Sequence, residues 1–227
     1  MKIKIFNICC ICLTLILITL SHIFLPFQPI SILSDFATLS GVLYSAFLIT
    51  KKKYSLHLGV INNVLLGIST ILQHVWLTAF ICLIYSVPSL LIAVIRNRAT
   101  TEAPIKTLNI KQALLSFLVY LSLSGLFMII LYLLKGNLWY LDAFVNAGLI
   151  LALFFITKNN YYCYYFFTIS ALVGVIMYVL LTIQDSSNSS LIILWFIYLM
   201  GDIVGLINWK SKYKKQGIGI TDCNYSG

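Results

Sequence analysis

Apolar residues occupy this chain in long blocks, and polar residues fall between the blocks rather than alternating within them. Eight blocks stand out: 5–25, 33–50, 56–73, 77–95, 112–134, 139–157, 160–183 and 190–209. A helix of about 20 residues crosses ~30 Å of hydrocarbon. In lipid only helices and closed barrels satisfy their own backbone groups. A barrel would show alternating segments of ~10 residues. None occurs, so the pattern predicts an all-α membrane protein of about eight transmembrane helices. The second and third blocks are the least regular, because Thr, Ser, Asn and His interrupt them.

Composition agrees with that class. Of 227 residues, 61% are hydrophobic and 9% charged, where a soluble domain has about 45–50% and about 25%. The charges then orient the spans. With the N-terminus inside, 14 of the 15 basic residues fall in cytoplasmic segments, and only Lys135 falls outside. Lys and Arg accumulate in cytoplasmic loops, so both termini are expected in the cytoplasm. The same rule absorbs the net charge of +9, so no nucleic-acid partner is called for. Lys2 and Lys4 followed by an apolar run resemble a signal peptide. No small-residue cleavage site follows and the run continues to Leu25, which predicts a retained helix. Cys9, Cys10, Cys12, Cys82 and Cys163 lie in spans and read as small packing residues. His22, His57 and His74 are scattered, and no GxxxxGK[ST] phosphate loop occurs. No catalytic set and no cofactor site are therefore expected.

The chain also repeats itself. FLITKKKY at 47–54 and FFITKNNY at 154–161 share the frame F-x-I-T-K-x-x-Y at an offset of 107 residues. Asp35 and Asp142 share that offset, each near the start of a span. Further on, Ile84-Tyr85 matches Ile197-Tyr198 at an offset of 113, a change that the polar stretch QDSSNSS at 184–190 accommodates. Helices two to four thus resemble helices six to eight. Three crossings reverse the chain, so one further helix must return it before a parallel copy begins. The expected organisation is an N-terminal transmembrane helix (1–30), a first three-helix repeat (31–98), a cytoplasmic loop with a linker helix (99–136), a second repeat (137–210) and a basic cytoplasmic tail (211–227). Parallel repeats are a transporter architecture, with the substrate site between them near mid-membrane.

Three stretches carry a family resemblance. DFATLSGVLYSAFLITKKKYSLHLGVINNVLLGI resembles the opening of the Pnu vitamin transporters. YLDAFVNAGLILALFFITKNN resembles their fifth core segment. IYLMGDIVGLINWKSK resembles their last helix, with Gly205 four residues before Trp209 and basic residues after it. The resemblance implies the three-plus-one-plus-three fold related to the SWEET sugar transporters, with the N-terminal helix extra to that core. It implies facilitated uptake of nicotinamide riboside, made directional by cytoplasmic phosphorylation. Thiamine or another vitamin or nucleoside of the family, and a SWEET-like sugar, are the alternative substrates. A bacterial inner membrane is the implied location, and a homotrimer a possible assembly. One stretch departs from the family. Nicotinamide riboside carriers show two tryptophans three apart, then Asn or Asp, on the sixth core helix. Here that region reads NNYYCYYFFTIS.

Polar residues inside spans are costly and tend to be functional. Asn62 and Asn63 are candidates to bond a ribose hydroxyl or ring amide, with bonding between helices as the plainer role. Asn146 lies one turn from Asp142 on the same helical face and is a further candidate. Asp202, in LMGDIVG, is an acid well inside a span and suits a ligand with a positive ring, such as nicotinamide riboside or thiamine. Tyr85 and Tyr198 occupy equivalent places in the two halves. Tyr164 and Phe167 are the aromatic candidates of the seventh span. Trp209 reads as an interfacial anchor, and Pro88 as a kink in the fourth span.

Overall fold

The computed structural model describes residues 2–24, 29–49, 55–84, 104–186 and 189–223. Among these the regular elements are helices: α1 (Lys2–Phe24), α2 (Pro29–Ile49), α3 (Ser55–Leu72), α4 (76–84), α5 (Ile110–Leu133), α6 (Trp139–Thr157), α7 (Cys163–Gln184) and α8 (Ser189–Cys223). Each falls on one of the eight apolar blocks. Ile110–Leu133, Trp139–Thr157, Cys163–Gln184 and Ser189–Lys214 are long and apolar enough to cross a membrane. Asn7–Leu20 and His57–Leu72 form shorter apolar stretches. Tyr85 and Pro88 lie outside the described residues. One difference concerns the tail: α8 continues unbroken to Cys223. Lysines are good helix formers, and the run KSKYKK extends the last span as helix instead of ending it at 209.

Helix ends show why the chain turns where it does. His74, Lys135 and Asn159 take left-handed backbone angles, with φ of 58°, 53° and 54°. Each reversal lets an N–H reach back over five residues. Val75 donates to Thr70, Gly136 to Leu131 and Asn160 to Phe155, at 3.0, 3.1 and 3.0 Å. These bonds close carbonyls that a helix C-terminus leaves open. The start of α5 is fixed by a capping box: Asn109 accepts from the Gln112 N–H, and Gln112 accepts in return from the Asn109 N–H.

The repeat is visible in the packing. α2 packs on α3 in the first half, and α6 on α7 and α7 on α8 in the second, while α2 also meets α8 across the halves. Two glycine pairs share the 107-residue offset, Gly41 with Gly148 and Gly67 with Gly174. All four are places where another helix presses close. Gly41 faces Leu194, Tyr198 and Asn62; Gly148 faces Ser170; Gly67 faces Leu83; Gly174 faces the Trp195 indole. Small residues allow such approaches where no water-driven force holds helices together. The main core spans both halves, with Val42, Leu66, Val75 and Cys82 packed with Val145, Met177, Tyr178, Leu181 and Leu194.

The two remaining helices flank the repeats. α1 packs mainly on α2 and is pinned to it twice: Asn7 Nδ2 donates to the Ala46 carbonyl at 2.7 Å, and His22 Nε2 meets Asp35 Oδ2 at 2.5 Å. α5 packs on α6 and leaves Leu114, Leu115, Leu118, Leu126 and Ile129 exposed, an outward apolar face suited to lipid. The loop before α5 is laced to the turn between α6 and α7. Lys106 N–H donates to the Asn159 carbonyl and Tyr161 N–H to the Lys106 carbonyl, at 2.9 and 3.2 Å. Asn159 Nδ2 donates to the Pro104 carbonyl at 2.8 Å.

Candidate functional site

A cavity opens between the halves. Its outline, open mouth included, takes in about 830 Å³ of empty space. The first half contributes Tyr44 and Ser45 from α2, Asn62, Asn63 and Leu66 from α3, and Thr78, Ile81 and Cys82 from α4. The second half contributes Leu149 from α6, Phe167 and Ala171 from α7, and Trp195, Tyr198 and Asp202 from α8. Asn62, Asn63, Phe167, Tyr198 and Asp202, all singled out by sequence, therefore share one cavity. Asn146 and Tyr164 are not among its lining residues, and Tyr85 lies outside the described residues.

Asn62 and Tyr198 join the halves directly. Asn62 Nδ2 donates to the Tyr198 hydroxyl oxygen at 2.8 Å. Gly41 lies against both groups: a methyl there would stand 2.5 Å from the Tyr198 oxygen and 2.6 Å from Asn62 Oδ1. The glycine is what allows α2 to lie this close to the bonded pair. Asn62 Oδ1 is buried without a partner among the described residues. Asp202 likewise has no hydrogen-bond partner among them, although it lines the cavity. A carboxyl in an apolar span with no partner of its own offers acceptors to whatever enters.

Trp195 is the residue that reading the sequence missed. Its ring lies over Gly174, stacked with Tyr178 at 5.9 Å and 21°, and edge-on to Tyr198 at 5.9 Å and 79°. The stretch LWFIYLMGD held the signal. Trp195, Tyr198 and Asp202 follow one another at i, i+3 and i+7, which places them on one helical face. α8 thus places an indole in the cavity wall.

Asn146 belongs to a different arrangement. Asp142 reaches from α6 to the first turn of α4. Its carboxyl accepts the N–H groups of Leu77 and Thr78, each at 3.1 Å, and the Thr78 hydroxyl at 2.5 Å. Asn146 Nδ2 donates to Asp142 Oδ1 at 2.6 Å and to Thr78 Oγ1 at 2.8 Å. An acid at a helix N-terminus satisfies orphan donors and suits the helix dipole. Here the cap comes from another helix of the other half.

Tyr164 is a packing wedge. Its ring fills the space over Gly205 and meets Trp209 edge-on at 5.4 Å and 69°. This explains the four-residue spacing of Gly205 and Trp209: one gives the ring room and the other holds its edge. Trp209 is consequently buried, 4% exposed, and not displayed at a surface as expected of an interfacial anchor. No group of three or more His, Cys, Asp or Glu residues able to hold a metal occurs among the described residues.

Comparison with known proteins agrees with this architecture. No curated protein matches the sequence. Among solved structures, the crystal structure of the vitamin B3 transporter PnuC superposes with a TM-score of 0.76 at 18% identity, covering 92% of each chain. The two share a fold. The sequence model of the nicotinamide mononucleotide transporter family matches residues 31–211, from the start of α2 into the basic end of α8. The chain belongs to the nicotinamide mononucleotide transporter family.

Proposed function

We propose that this protein carries nicotinamide riboside or a closely related vitamin across a bacterial inner membrane, with both termini in the cytoplasm. Transport is facilitated diffusion with no catalytic step of its own, and cytoplasmic phosphorylation of the vitamin makes uptake directional. The observation that carries this reading is the cavity between the two halves. It is lined from both repeats, as a site exposed alternately to either side requires. Its chemistry suits a cationic aromatic ring on a polar sugar. Trp195, Phe167, Tyr44 and Tyr198 offer ring faces and edges, and aromatic faces attract cations. Asp202 supplies the opposing carboxyl, while Asn62 and Asn63 supply amide donors and acceptors. Thiamine, which also carries a positive ring, fits the same description, whereas a neutral sugar would leave Asp202 unanswered.

The test is titration calorimetry on the purified protein in detergent, with nicotinamide riboside, thiamine, riboflavin and deoxynucleosides in parallel and Asp202→Asn as the control. The expected result is binding of a cationic-ring vitamin that the substitution weakens. Binding of riboflavin or deoxynucleosides alone would overturn the substrate class. Binding that Asp202→Asn leaves unchanged would remove Asp202 from the site.

A further inference from the structure

Polar ties between the two halves crowd one end of the bundle. α4, α6 and α8 begin at the end opposite Lys210, Lys212 and Lys214, and α7 ends there. At that end the Asp142 carboxyl on α6 accepts the Leu77 and Thr78 N–H groups of α4, each at 3.1 Å, and the Thr78 hydroxyl at 2.5 Å. Asn137, two residues before α6, donates its N–H to the carbonyl of His74, two residues before α4, at 3.1 Å. Thr38 on α2 donates to the Ser190 carbonyl in the first turn of α8 at 3.0 Å. Thr38, Thr78, Asp142 and Ser190 are all buried.

The cavity is accessible away from that end. Its lining residues nearest the ties, Leu66, Thr78, Ile81, Cys82 and Trp195, are buried. The partly exposed ones, Tyr44, Asn63, Leu149, Phe167, Tyr198 and Asp202, lie in the middle of their helices or nearer the basic tail. The structure is therefore closed at the tied end and open toward the tail. A site reached from one side and then the other requires the halves to part at the tied end in turn, and every tie there spans the two halves.

We propose that Asp142 is the latch of the closed end: its cap on α4 holds the halves together there and sets how often the cavity opens to that side. This rests on the transport reading above and names the contact that gates it. Asp142 suits the task because it gathers three donors of the other half on one side chain. The first N–H groups of a helix have no partner within it, so parting hands Leu77 and Thr78 to water instead of stranding them. Without the carboxyl the same groups would be stranded in the closed state, which penalises closure alone. The repeat does not by itself demand the latch. Asp35, the counterpart of Asp142 at the 107-residue offset, meets His22 on α1.

The test uses the full chain in lipid nanodiscs, with a maleimide as the probe. Thr38→Cys places a thiol between the halves. Ser34→Cys places one within the first half, where Ser34 meets Ser69 at 3.1 Å. Each is read with and without Asp142→Ala, against the chain that carries no reporter. Asp142→Ala is expected to speed labelling at position 38 by about tenfold or more, the worth of one well-made hydrogen bond, and to leave position 34 unchanged. Labelling that rises at both positions marks general loosening, and labelling that rises at neither marks a cap with no part in opening; either would overturn the proposal. Should Asp142→Ala fail to fold, His74→Cys with Asn137→Cys decides, since neither side chain belongs to the Asp142 network. Oxidising that pair should abolish nicotinamide riboside exchange in proteoliposomes, keep its binding, and be reversed by a reductant. The disulfide of Ser34→Cys with Ser69→Cys, confined to one half, should leave exchange running. Exchange that continues across the oxidised 74–137 pair would overturn the latch. A wild-type chain that exchanges no nicotinamide riboside would overturn the transport reading, while the labelling ratio still decides the latch.

Discussion

The glycine pair at the 107-residue offset makes a controlled experiment inside one molecule. Gly67 and Gly174 are repeat-related, both lie within helices, and each faces the last helix of its own half. What they face differs. A methyl on Gly67 would stand 3.0 and 3.1 Å from two atoms of the Leu83 side chain. That end of the leucine can shift by a few tenths of an ångström. A methyl on Gly174 would stand 2.5 and 2.8 Å from Trp195 Cδ2 and Cζ3. Ordinary contact begins near 3.4 Å, so the indole would have to retreat by about 1 Å. It is a rigid plate, stacked on Tyr178 and edged by Tyr198. Overpacking of this kind costs about 1–3 kcal/mol, and disturbing the aromatic pairs costs about 0.5–1.5 kcal/mol more. Alanine returns up to about 1 kcal/mol of helix propensity at either site. Gly67→Ala should therefore change stability by less than about 1 kcal/mol, and Gly174→Ala should destabilise by about 1–3 kcal/mol. Thermal unfolding in detergent reads this directly: at about 2–4 °C per kcal/mol for a chain of this length, Gly174→Ala should melt about 2–12 °C lower. Because Trp195 lines the cavity, ligand affinity should fall with it. Equal melting shifts for the two alanines, or a Gly174→Ala protein that binds ligand as well as wild type, would refute the packing argument.

Other outcomes follow from single contacts. Tyr198→Phe should strand Asn62 Nδ2, which now bonds that hydroxyl at 2.8 Å, at about 1–3 kcal/mol. Adding Asn62→Leu should recover much of that loss, measured as a melting temperature in a double-mutant cycle. Asp202→Asn should weaken a cationic-ring vitamin by about 10- to 100-fold, as expected for a lost charge-assisted bond, while a neutral nucleoside tested by competition should lose far less. His22→Ala should cost no more than about 1 kcal/mol, because the His22 and Asp35 side chains are 32% and 14% exposed. A melting shift above about 4 °C would contradict that.

Much of this fold was legible because lipid imposes a length on every crossing. Run lengths gave the spans, and the 107-residue offset showed the repeat. Side-chain partners were less legible, for a physical reason. Asn146 reads as a ligand contact because a buried amide in a span needs a partner, yet its partners are Asp142 on its own helix and Thr78 on α4, 68 residues away. Nothing local in the chain announces that the acid on α6 caps the start of α4. Tyr164 shows the same limit. The spacing of Gly205 and Trp209 was visible, but not the ring that fits between them. Trp195 is the opposite case. Its face was written in the i, i+3, i+7 order with Tyr198 and Asp202, although the family pattern places its tryptophans on another helix.

The place of α1 has a topological consequence. Lys2–Phe24 shifted by 107 residues covers 109–131, almost the extent of Ile110–Leu133. Each of these helices also packs on the helix that follows it, α1 on α2 and α5 on α6. The chain can therefore be counted as twice four. A tandem unit with an odd number of crossings needs a separate device to bring its copy back to the starting side of the membrane. A unit with an even number needs none, since every copy ends where it began. The helix that looks extra at the N-terminus and the helix that looks like a spacer in the middle then hold the same position in successive units, and the parallel orientation of the two halves follows from parity alone.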